Sequence, residues 1–327
     1  MKNIILSLAL VLPLVLSAQY SSHFLQRFTE SGKTGWRFST ATAANYGDIG
    51  SEAVDLSYSN NSSTTRGAKG DYSVAMGYNT TASGYASTAM GGYTKASGYG
   101  STAMGSYPTA SGDYSTAMGS FTTASGLIST AMGSRATASD YASLSIGSYN
   151  SVNSSVTGSA TAFNTANAAF VIGNGTASNA KSDAFVVYFN GNATLAGDLT
   201  INSDARLKDN IQPLGSTLDK LHQIEGKTYT FLKDEEHTPK IGVLAQEVQA
   251  VFPELVTEGA DGILSVNYQG LVPVLINAIN EQDTKIATLE AQNEQLAIAS
   301  QKIEALEEMV RFLAVQQSQA ASSVASN

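Results

Sequence analysis

The ten residues NSDARLKDNI, positions 202–211, bring a hydroxyl, two carboxylates, a guanidinium and an amine together where the chain changes character. Taken by spacing alone, Ser203 reads as the cap of a short helix, with Asp204 favoured in its first turn and Pro213 ending it. Arg206 then has Asp204 and Asp209 as alternative partners. A second set of candidate groups fails on spacing. Between Tyr72 and Ala180 the only acids are Asp113 and Asp140, 27 residues apart, whereas glycosidic hydrolysis needs two carboxyls within a few ångströms. The absence of cysteine removes disulfides, thiolate metal sites and a lipid-modified N-terminal thiol. No metal or cofactor site is expected. The net charge of -9 and the lack of Lys/Arg clusters argue against a nucleic-acid partner.

The elements that must position the decapeptide lie on both sides of it. Lys2, the apolar run Ile4 to Leu16 and the small residues Ser17 and Ala18 predict a secretory signal peptide over 1–18, too short to anchor in a bilayer, and hence an exported, secreted or surface protein. Residues 19–70, with the only Trp at Trp36, are a cap region of unassigned role. From Ser73 the pentapeptides SVAMG, STAMG (four times) and SLSIG recur every 14 residues, with ASG in the same frame from Ala82 and ASD at Ala138. Short alternating stretches bounded by Gly at fixed spacing predict one solenoid coil per repeat over 71–180. Met76, Met90, Met104, Met118 and Met132 share one repeat position, which Ile146 takes in the sixth coil. One large apolar side chain per coil buries too little area to offset the ordering entropy, so neighbouring chains are expected to complete the core. Tyr93, Tyr107, Phe121 and Tyr149 form a second ladder that Arg135 interrupts, read as packing between coils in preference to a matrix or glycan site. Two strand-like stretches around Asn190-Gly191 predict a β neck over 181–202.

These repeats resemble the head of YadA-like trimeric adhesins, and the resemblance implies a mainly β fold: a trimeric left-handed parallel β-roll that closes at AFVIGNG from Ala169. The segments SDARLKDNI, IGVLAQEVQAVFPELV from Ile241 and SVNYQGLVPVLINAINEQ from Ser265 together resemble the intramolecular chaperone auto-processing domain of phage endosialidase tailspikes, over 203–280. That family trimerises, assists folding of the preceding β stalk and then cuts itself off just before a serine. The resemblance implies a small α+β chaperone domain, Ser203 as nucleophile, Lys208 as general base and scission between Asn202 and Ser203. It makes the chain a single-turnover self-processing serine peptidase with no external substrate.

Physical chemistry sets a condition on that assignment. Lysine serves as a base only when neutral, which asks for a pKa lowered from about 10.4 toward 7 by burial, at about 1.4 kcal/mol per unit. Five residues along a regular element put two side chains on different faces, so the segment must bend or neighbouring chains must enclose Lys208. Arg206 has a third option here, the carbonyl side of the scissile bond. His222 and His237 read as surface or packing residues. In LAQEVQ, Gln246 and Glu247 fit an amphipathic helix with Val243, Leu244, Val248 and Val251 toward a core.

From about Asn277 to Gln317 heptad-like spacing predicts a coiled coil, assigned to 281–317, with seam residues Ile279, Ile286, Leu289, Leu296, Ile303, Leu306, Val310 and Leu313 and a polar Asn293. The tail 318–327 is expected to be disordered. Nothing after Lys302 alternates like membrane barrel strands, so no integral anchor is expected. The expected function is a secreted or surface homotrimeric fibre, adhesin-like, whose head meets a host-surface, matrix or glycan ligand and whose chaperone releases itself. The alternatives are a structural surface protein that never cuts, and a phage-derived tail fibre. The last is disfavoured because phage fibres assemble in the cytoplasm without a leader.

Overall fold

The computed structural model describes residues 24–232 and 237–324, with side chains to 318. The leader over 1–18 lies outside the described residues. Two compact units divide between Ile201 and Asn202.

The first unit is a β-solenoid of about eight turns with 14-residue repeats. It opens with an antiparallel hairpin, Leu25–Glu30 against Lys33–Phe38, whose second strand pairs in parallel with Val54–Tyr58. From there the strands Val74–Tyr78, Thr88–Gly92, Thr102–Ser106, Thr116–Ser120, Thr130–Ser134, Leu144–Ser148 and Ala168–Asn174 stack in parallel. Two-residue strands from Gly67–Ala68 to Thr137–Ala138 stack in a second sheet. Repeat positions pair in exact register, Met90 with Met104 and Ala96 with Ala110.

Period-two alternation decides what lies between the sheets. Ala75, Ala89, Ala103, Ala117 and Ala131 point inward from one sheet, and Ala82, Ala96, Ala110, Ala124 and Ala138 from the other, all fully buried. Each coil thus leaves room for nothing larger than a methyl group. The methionines stand on the opposite face of their strands, outside the chain's own core, with Met76 37 % exposed. The two glycine positions follow from the close stacking. A Cβ on Gly98 would meet the carbonyl of Gly112 in the next coil, and one on Gly91, at φ +121, the carbonyl of Gly105.

Both ends of the stack are sealed by polar groups. At the start, Arg37, 1 % exposed, donates from Nε to Asp55 (3.1 Å), from Nη1 to Glu30 (2.9 Å) and from Nη2 to the Gly47 carbonyl (3.1 Å). At the far end Asp140 stands where earlier coils have glycine. The chain that follows covers it: Asn153 Oδ1 accepts the Asp140 N–H (2.7 Å), and the buried Asp140 carboxylate accepts the N–H groups of Thr157 (2.6 Å) and Ala168 (3.2 Å). Beyond it Asp183–Tyr188 and Ala193–Leu195 add antiparallel strands, with Gly191 at φ +86 in the turn.

The second unit has a small core of Val248, Phe252 and Val274, with Leu221, Ile224, Val243, Val251, Leu255, Val256 and Val266 packed against it. It contains helices α1 (Leu218–Leu221), α2 (Ala245–Val251) and α3 (Leu271–Val324), and two short antiparallel pairs, Lys227–Tyr229 with Lys240–Gly242 and Val256–Glu258 with Leu264–Val266. Val243, Val248 and Val251 face the core as expected, but Leu244 does not: it precedes α2 in extended backbone and is exposed. The long helix starts at Leu271, ahead of the heptad pattern, and continues to Val324 through part of the expected disordered tail. The seam residues Ile279 to Leu313 are exposed on the single chain. No helix of the described residues is long and apolar enough to cross a membrane.

Candidate functional site

Ser203 and Lys208 meet: Lys208 Nζ donates to Ser203 Oγ at 2.7 Å. Neither a helix nor a strand achieves this. The chain makes one 3₁₀ turn over Ala205–Leu207, closed by Leu207 N–H to the Asp204 carbonyl and Lys208 N–H to the Ala205 carbonyl, both 3.1 Å. Asp204, not Ser203, is the cap. Its Oδ1 accepts the Arg206 N–H at 2.9 Å, and its two oxygens take the guanidinium at 3.0 Å (Nε to Oδ1) and 2.6 Å (Nη2 to Oδ2). The question of Arg206 is thereby answered: it pairs with Asp204. That bidentate contact holds the Asp204 carboxyl below the usual carboxylate range, with the Arg206 N–H bond adding to it, and raises Arg206.

The pair is exposed on the single chain, as are Asn202, Leu207, Ile211 and Leu214 around it. The bend that the spacing demanded is present, while the burial that a neutral lysine demands is not supplied by this chain's own residues. Among the described residues no hydrogen bond joins His222 to either member. His222 ends α1 with its N–H on the Leu218 carbonyl, and His237 sits at φ +50.

Downstream, a clamp that sequence reasoning missed fixes the chain after the turn. Glu281 of α3 accepts Thr217 N–H (2.7 Å), Ser216 Oγ–H (3.0 Å) and Leu218 N–H (3.3 Å), and Asn277 Nδ2 donates to the Gly215 carbonyl (2.6 Å). The Thr217 bond is the main reason that Glu281 titrates below the usual range. Glu247 also titrates low, chiefly through the Glu225 N–H and then Lys227. The heptad pattern hid the clamp, because Asn277 and Glu281 fit a solvated helix face equally well.

On the first unit the aromatic ladder is continuous. Tyr93 stacks on Tyr107 (4.5 Å, 5°) and Tyr107 on Phe121 (4.7 Å, 2°). Arg135 continues the ladder, contrary to the expected interruption, because its guanidinium lies 4.3 Å over Phe121 and 5.6 Å from Tyr149. A second ladder, unforeseen because its residues alternate between adjacent repeat positions, links Tyr72, Tyr85, Tyr99 and Tyr114. Ring faces in the central stacks are occupied by one another, which leaves edges for solvent. The two acids of the repeats make local contacts: Asp113 Oδ1 accepts the Tyr99 N–H, and the buried Asp140 carboxylate accepts those of Thr157 and Ala168.

Comparison with known proteins places these features. Residues 203–257 match the family described as chaperone of endosialidase, and the match begins at Ser203. Successive overlapping segments over 68–150 match the YadA head domain repeat. The chain is 38 % identical over 109 residues to the long tail fiber protein Gp37 of Escherichia phage AR1, covering 31 % of this chain and 9 % of that protein. It is 34 % identical over 115 residues to Gp37 of Salmonella phage S16, covering 32 % and 15 %. Gp37 of Enterobacteria phage K3 is 32 % identical over 104 residues, covering 30 % and 8 %. The chain thus spans 15 % or less of the length of these relatives. The chain thus carries segments that match the YadA head repeat, followed by one that matches chaperone of endosialidase, and over about a third of its length it is similar to phage long tail fiber proteins.

Proposed function

We propose that the chain is a homotrimeric, exported fibre whose C-terminal domain drives assembly and then severs itself between Asn202 and Ser203. The observation that carries this reading is the 2.7 Å contact of Lys208 with Ser203, at the first residue of the chaperone match. The division between compact units falls one residue before the proposed bond.

The chemistry uses only this chain's groups and water. Lys208 takes the Ser203 hydroxyl proton as Oγ attacks the Asn202 carbonyl carbon through a five-membered ring. The C–N bond breaks, the proton passes to the departing Ser203 nitrogen, and Asn202 is left as an ester on Oγ. Water then hydrolyses the ester to the Asn202 carboxylate and a free hydroxyl. Lys208 is an effective base once water is excluded. The exposed Leu207, Ile211 and Leu214, the Met ladder and the α3 seam are the apolar surfaces that two further copies cover. Scission therefore reports completed assembly.

Wild type is expected to give two bands on a denaturing gel, and Ser203→Ala and Lys208→Ala one. Hydroxylamine is expected to leave a hydroxamate on Asn202. Intact wild-type trimer would end the reading in favour of a chaperone that never cuts. The similarity to phage long tail fiber proteins favours a second reading of the chain, as a phage-derived tail fibre that recognises a bacterial surface. A reporter fused to residues 1–18 separates it from the exported adhesin: export supports the adhesin, retention the phage fibre.

A further inference from the structure

We infer that Asp204 is a positioning residue for self-cleavage, and that its carboxylate sets the bend by which Lys208 reaches Ser203. The inference rests on the reaction proposed above and concerns what makes its geometry. In extended backbone five residues span about 16 Å, beyond the reach of one lysine side chain to a serine. The contact therefore depends on the 3₁₀ turn, and the turn has little else to hold it. It is three residues long, none of them buried. Among the described residues its fastenings are two backbone hydrogen bonds, the Asp204 cap on Arg206 N–H and the Asp204–Arg206 ion pair.

An isolated turn of this length pays the nucleation cost with no neighbouring turn to share it, so a capping acceptor decides whether it forms. Asp204 is suited to this and not to proton transfer. Both oxygens are held by Arg206, and neither donates to or accepts from Ser203 or Lys208. Its own backbone, at φ -62 and ψ 133, lies in the region that a following proline favours.

The test is the rate of fragment appearance in the full chain after assembly, with trimer followed separately by cross-linking. Asp204→Ala is expected to slow cleavage on the order of 100-fold, the scale of a misplaced catalytic group, with the trimer intact. Asp204→Asn and Asp204→Ser, which keep a capping oxygen, are expected within a few-fold of wild type, with Arg206→Ala between. Adding Ala205→Pro to Asp204→Ala is expected to restore the rate, because proline at the first position of a turn fixes its φ without needing the cap. The pH profile is expected to keep its shape in every variant. Wild-type speed in Asp204→Ala, or failure of Asn, Ser and the added proline alike to restore it, overturns the inference while the dyad stands. Loss of trimer in Asp204→Ala also overturns it, since the residue then acts on assembly. Uncut wild type removes the reaction itself.

Discussion

Asn150 pairs with Thr137 as a neighbouring strand would: Oδ1 accepts the Thr137 N–H and Nδ2 donates to the Thr137 carbonyl, each at 2.8 Å. Asn150 thereby covers Thr137 at the last edge of the narrow sheet, and Asn153 takes the Ser139 N–H (2.9 Å), where a parallel stack would otherwise offer unpaired backbone to another chain. Asn150 is 1 % exposed.

Asn150→Ala is expected to leave both Thr137 groups without partners, at about 1–3 kcal/mol for each buried group. The thermal midpoint of the head should fall, and light scattering should show association through the opened edge. An unchanged midpoint would remove Asn150 from this role.

Gly98→Ala is expected to prevent close stacking of its coil, because the added Cβ meets the Gly112 carbonyl, while Gly92→Ala, with nothing within 4 Å, is expected to be tolerated. Circular dichroism and protease resistance compare the pair. Equal behaviour would contradict the stacking account.

Met104→Asp should dissociate the head without unfolding its coils, since Met104 lies outside the alanine core. A trimer that survives this change by ultracentrifugation would show that the Met ladder is not the shared interface.

The Glu281 clamp makes acid stability predictable in sign. Its carboxyl titrates lower in the folded chain than in the unfolded one, so its contribution is complete above the ordinary range near pH 4.3 and is lost as pH falls through the lowered value. Glu281→Gln should destabilise the second unit at neutral pH and flatten that acid limb of the melting curve. Parallel melting curves would place the acid sensitivity elsewhere.

Much of the head was legible because its code is local. Period-two alternation puts Ala in and Met out, and a fixed 14-residue frame stacks like on like. The Arg135 step was misread because charge was taken to break an aromatic ladder, whereas a guanidinium stacks on a ring as another ring does. At the decapeptide the residues and the need for a bend were readable. Which residue caps the turn was not, since Asp204 and Ser203 are both good caps and the choice is settled by where Arg206 folds back. Leu244 failed because helical periodicity was extended two residues ahead of the true start of α2, to Val243.

The N-terminal sequence and intact mass of any C-terminal fragment that the assembled wild-type chain releases decide whether Ser203 severs its own backbone. The expected fragment begins Ser203-Asp204-Ala205-Arg206 and has no counterpart in Ser203→Ala. A fragment beginning anywhere else, or an undivided chain in a fully formed trimer, would contradict self-cleavage by Ser203.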